Sequence, residues 1–221
     1  MSIFGALLVI HIISGTATLL SAAIAIFSKL ADSAHKWHVI SGRIFFWGMT
    51  GIFLSALAMS LIRVNTPMLF VSIFSFYFAW MGRHYALNRQ GVTNGLDKVV
   101  IPVMTFVFAA MTLYGIFALY LWEQGFGIVI IVFGVIGVLN SYGDWQILRR
   151  GGAKGKERIA EHLGKMLGGT IAAITAFLVI NVHVEPAYIV WLAPTVLLTP
   201  LLVIWSRKIN GGVKRKGMEE V

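Results

Sequence analysis

Residues 126–148 read FGIVIIVFGVIGVLNSYGDWQIL. From Phe126 to Leu139 every side chain is apolar or absent. The residue types do not alternate, whereas a transmembrane barrel strand alternates apolar and polar positions over about ten residues. The whole stretch 126–148, wound as a helix at about 1.5 Å per residue, is about 34 Å long and crosses a hydrocarbon core of about 30 Å. The run ends in Asn140, Ser141 and Asp144, on the same face as Gly134 and Gly137. A carboxylate inside a membrane segment is costly, so Asp144 is a candidate functional residue.

The pattern recurs along the chain. The 221 residues are 58% hydrophobic and 12% charged, with a mean hydropathy of +0.83. Soluble domains carry about 25% charged residues. The expected fold class is therefore all-α: a polytopic membrane bundle of seven transmembrane helices, roughly 3–27, 37–62, 67–88, 98–122, 126–148, 162–183 and 187–206. These make one transmembrane domain, 1–206, followed by a basic tail, 207–221. Pro67, Pro102 and Pro186 fall near helix starts, where the missing N–H is tolerated. Pro194 and Pro200 should bend the seventh helix. The absence of cysteine excludes disulfides, thiolate metal sites and thiol catalysis. No basic segment precedes the first apolar run, so residues 1–27 do not resemble a cleaved signal peptide.

The net charge of +9 is read as topology rather than nucleic-acid binding. Of the 18 lysines and arginines, all but Arg63 fall on one side of the seven-helix arrangement. Basic residues collect in cytoplasmic loops, so the N-terminus is expected outside and the C-terminus in the cytoplasm. That matches a multi-pass protein of a cell membrane. The basic tail could also touch anionic lipid. No oligomeric state follows.

Four of the six histidines, His35, His38, His84 and His162, lie at helix ends on the basic side. His35 is expected at the interface. His38 sits just inside, and Arg43 deeper. Arg43 either snorkels or pairs with Asp144 at a similar depth, which is the expected structural ion pair. Tyr77, Trp80 and His84 share a face, read either as an interfacial aromatic belt or as a wall beside a ligand. His162 starts a seam with Met166, Gly169 and Ala173. His11 belongs to a stripe with Ser14, Gly15, Thr18, Ser21 and Ala22, in the opposite half of the membrane. No Walker loop, dinucleotide glycine pattern, HExxH or GxSxG motif is present. The first and sixth helices share a His, Gly, Thr, Ala-rich order, and run in opposite directions. Two helices are too few to establish an inverted repeat.

The segments HIISGTATLLSAAIAI (11–26), HKWHVISGRIFF (35–46), HLGKMLGGTIAAITAFLVIN (162–181) and WLAPTVLLTPLLVIW (191–205) resemble a family of bacterial predicted membrane proteins. It is the domain of unknown function numbered twenty-three-oh-six. The resemblance implies seven or eight helices and assigns His11, His38, Arg43 and His162 to motifs. It implies no activity, and it does not extend to His84 or Asp144.

The leading functional expectation is a histidine-ligated haem b or redox protein, drawing its ligands from His38, His84, His162 and His11. Dihaem cytochromes b are similar in style only, since an outer haem would rest on His11 alone. The second expectation is a transition-metal ion held by His38, His84, His162 and Asp144. The third is a proton-coupled transporter using His11 and the Arg43–Asp144 pair. The fourth is a scaffold without chemistry. Whether the chain is an enzyme stays open.

Overall fold

The computed structural model describes residues 2–30, 35–121 and 126–216; the side chains of Lys29, Leu30, Leu201 and residues 210–216 fall outside that description. Seven helices follow one another: α1 (Ile3–Leu30), α2 (His35–Ile62), α3 (Thr66–Leu87), α4 (Gly95–Tyr120), α5 (Gly127–Arg149), α6 (Gly155–Asn181) and α7 (Tyr188–Lys216). There is no strand among the described residues. All of these helices except α3 are long and apolar enough to cross a membrane. The architecture is that of an all-helical, multi-pass membrane protein.

The helices pack as α1 on α2, α4 on α5, and α6 between α3 and α7, with α3 also touching α2, α4 and α5. The surface is apolar: Phe106 and Ile180 are each 75% exposed. The interior holds Thr18, Ser21, Ser41, Ser141, Asp144 and Lys165 beside its aromatic core. Lipid tails solvate Leu and Phe as well as a protein core does, so helices associate through close packing and internal hydrogen bonds. This explains why α3 has the least lipid-like composition. It carries Ser72, Ser75, Tyr77 and Tyr85, all buried against neighbouring helices.

Glycines set the close approaches. A Cβ on Gly127 would lie 2.6 Å from the Gly115 carbonyl oxygen, and one on Gly134 2.8 Å from the Thr112 nitrogen, so α4 and α5 meet backbone to backbone. Gly48 and Gly51 admit Thr18 and Ser14 of α1. Gly91 and Gly152 have φ of 67° and 97°, a region open mainly to glycine. A Cβ on Gly152 would lie 1.8 Å from the Gly91 carbonyl oxygen. The α3–α4 and α5–α6 connections therefore touch at one end of the bundle, which also carries most of the basic residues.

The element boundaries differ from expectation mainly at α6. It starts at Gly155 rather than at 162. The apolar run begins late, but the polar turns before it are still helical. Glu157 lies in the first turn, where a carboxylate favours the helix dipole, and it pairs with Arg150. Helix α7 runs on to Lys216, past 206. The expected lipid contacts of Lys214, Arg215 and Lys216 concern side chains outside the described residues.

Candidate functional site

Two of the sequence-selected histidines meet. His38 of α2 and His162 of α6 face each other with ring centroids 6.3 Å apart and planes at 88°. Each is anchored through Nδ1. His38 Nδ1 donates to the Ala25 carbonyl at 3.0 Å, and His162 Nδ1 donates to the Gly82 carbonyl at 2.8 Å. A carbonyl can only accept, so both rings carry the proton on Nδ1. The Nε2 lone pairs are then free for a ligand. Both histidines line a cavity of about 330 Å³ bounded by α1, α2, α6 and α7. Its walls are mainly apolar, including Ala22, Phe45, Leu163 and Met166, with Lys208 also lining it. Gly42 lines it too, and a Cβ there would meet nothing within 4 Å.

A second centre lies behind the first. Asp144 is fully buried, and Lys165 Nζ donates to its Oδ2 at 2.6 Å. Tyr77 Oη donates to the same oxygen at 2.5 Å, and Tyr85 Oη to Oδ1 at 2.7 Å. The remaining ammonium protons reach the Asn140 carbonyl at 3.3 Å and Asn140 Oδ1 at 3.4 Å. The Lys165 ammonium also lies 5.5 Å from the ring centres of Tyr77 and Phe78. Two desolvated charges are tolerable only when paired and hydrogen-bonded in this way. The site joins α3, α5 and α6.

The expected Arg43–Asp144 pair does not form. Arg43 lies on the exposed face of α2, and α2 does not pack on α5. The partner of Asp144 is Lys165 instead. Because α6 starts at Gly155, Lys165 lies ten residues in, or about 15 Å along the axis, at the level of Asp144.

The four-residue metal set is not assembled either. Among the described residues no three His, Asp or Glu side chains are grouped to hold a metal ion. Asp144 is occupied by Lys165 and two tyrosines. His84 stands apart from the His38–His162 cavity, with Nδ1 3.5 Å from Asp97 Oδ1 and Nε2 3.2 Å from the Asn88 amide. Asp97 also closes the capping box of α4 with Asn94, at 2.9 and 3.0 Å. His11 is part of the α1–α2 seam: its Nδ1 lies 3.0 Å from Ser55 Oγ, whose own proton goes to the Gly51 carbonyl at 2.6 Å. His35 is exposed at the start of α2.

Tyr85 and Lys165 are the site residues that sequence reading missed. Tyr85 lies two helical turns after Tyr77, a spacing that puts both hydroxyls on one face. No protein-family model, curated protein or solved structure matches the chain.

Proposed function

We propose that the chain binds haem b in the cavity between α1, α2, α6 and α7, where His38 and His162 would hold the iron. The observation that carries this is the paired imidazoles. The two rings border one cavity with their centroids 6.3 Å apart. Both rings are held by Nδ1–H to a backbone carbonyl, which leaves Nε2 for the metal. Two protein ligands suffice for haem, because the porphyrin supplies the rest. They do not suffice for a free zinc or iron ion, which takes three or four. This ligand count favours haem over the bare metal site. The cavity of about 330 Å³ is at the lower end of the range for ligand pockets, about 300–1,000 Å³.

Bound haem supplies one-electron redox chemistry. The chain's own share is to orient the imidazoles, exclude water with apolar walls, and offer Lys208 as a cation for a carboxylate substituent of the ring. His84 and His11 have no part in this reading. We further propose an inner or plasma membrane setting with the N-terminus outside and the basic end in the cytoplasm, from the charge asymmetry. The resemblance to the domain of unknown function numbered twenty-three-oh-six stays a proposal beside it, and contributes His38 and His162 but no activity.

The test is a visible spectrum of the protein purified from haem-replete cells. A Soret band is expected in wild type. It is lost in His38→Ala and in His162→Ala, and kept in His11→Ala and His84→Ala. A colourless wild-type protein, or a band indifferent to His38 and His162, overturns the reading.

A further inference from the structure

The Asp144–Lys165 centre is more elaborate than helix packing needs, and it has a polar route to the end of the bundle. A small cavity of about 20 Å³ touches Asp144, Tyr85, His84, Asp97, Asn88 and Thr93 among its walls. About 10–15 Å³ on this measure is enough to hold one water, given polar partners. Asp97, His84, Tyr85 and Asp144 therefore border the same one-water space. His84 also lines a second, wider cavity of about 450 Å³ with Trp80, Arg83, Asn88, Val92 and Asn94. Each group from that wider cavity to Asp144 can carry a proton.

We propose that Asp144 is a proton-loading site, filled from the basic end through His84, Asp97, one water and Tyr85. A proton arriving at the His84–Asp97 pair passes to the water. The water gives one of its own protons to Tyr85 Oη, and the Tyr85 proton moves to Asp144 Oδ1. One proton enters, no bond to carbon changes, and no oxidant or reductant is needed. The product is a neutral Asp144 carboxyl whose Oδ2 still accepts from the Lys165 ammonium, which also keeps its two Asn140 oxygens, and the site gains one positive charge.

The groups facing Asp144 set its load. They are Tyr77 and Tyr85 from α3, Lys165 and Glu161 from α6, and Asp97 from α4. The Arg158 guanidinium donates to the Tyr85 and Ala86 carbonyls at 2.6 and 3.0 Å, near the same route. Beyond Lys165, α6 presents Gly168 and Gly169 and then the buried Thr170 and Thr175 among apolar residues. His162 and Lys165 hang from one turn of α6. His162 bonds to the Gly82 carbonyl, and a Cβ on Gly82 would lie 3.3 Å from Lys165 Cβ. A charge gained at Asp144 therefore lies close to the His38–His162 cavity and can offset a negative charge arriving there. The loading itself does not depend on what that cavity binds.

The experiment is infrared difference spectroscopy of the protein in lipid nanodiscs, between neutral and acidic pH. Aspartate is labelled with ¹³C at its side-chain carboxyl, and Asp32, Asp97 and Asp144 are the only aspartates in the chain. Acidification is expected to raise a protonated-carboxyl band that shifts with the label, persists in Asp97→Asn and vanishes in Asp144→Asn. All variants are made in an Asp32→Asn background, so the label together with Asp97→Asn leaves Asp144 as the only aspartate and identifies it even if Asp144→Asn does not fold. Exchange of that proton after a jump into D₂O is expected to slow about a hundredfold in Asp97→Asn, the order a positioned proton carrier contributes. A band that ignores the label, or that is lost in Asp97→Asn, overturns the proposal. So does unchanged exchange in Asp97→Asn. None of these readings uses haem, so they stand or fall separately from the Soret test.

Discussion

At the scale of single residues the structure separates charge that is solvated from charge that is satisfied internally. Arg43 is outward-facing, whereas Lys165 and Asp144 are sealed together between α3, α5 and α6. Removing one partner leaves the other charge uncompensated. Lys165→Met should therefore destabilise the fold by about 3–5 kcal/mol, while Lys165→Met with Asp144→Leu should recover much of that loss. Unfolding in mixed detergent micelles measures both. A Lys165→Met variant as stable as wild type would show that the pair contributes nothing. Asp144 was legible in sequence as an intramembrane carboxylate. Its partner was not, because Lys165 precedes the Gly168–Gly169 apolar stretch and resembles a loop charge.

At the scale of helices, position depends on where small residues sit. Gly115 faces the Ile131 backbone nitrogen, 2.8 Å from an added Cβ, while Gly15 faces nothing within 4 Å. Both are helical glycines, and only one is a contact. Gly115→Ala is expected to push α4 and α5 apart at a cost of about 1–3 kcal/mol. Gly15→Ala should be neutral or gain up to about 1 kcal/mol from helix propensity. Thermal inactivation of the two variants in the same detergent separates them, and equal losses would sink the contact argument. Seven helices were expected to cross the membrane, and six are apolar enough to do so; α3 falls short because it carries Ser72, Ser75, Tyr77 and Tyr85 for its neighbours. The start of α6 was not, because an amphipathic, charged first turn carries no membrane signal.

At the scale of the whole molecule, the basic residues gather at the end where the α3–α4 and α5–α6 connections touch. The chain lacks cysteine, so single cysteines report sidedness cleanly. In intact bacterial cells a cysteine at Val64 should react with a membrane-impermeant thiol reagent, and one at Gly151 should react only after the membrane is opened. The opposite pattern would reverse the orientation. The sequence alone determined the class, the number of helices and part of the list of polar residues, Asp144 and the histidines but not Tyr85 or Lys165, because each depends on local composition and on the cost of burying charge in lipid. Tertiary structure alone decided the pairings: His38 with His162, Asp144 with Lys165, and His84 with Asp97. Helical periodicity places residues on a face, but it does not say which helix that face meets. In lipid, neighbour choice rests on backbone fit at glycines and on hydrogen bonds between distant segments, neither of which is written in any one stretch of the chain.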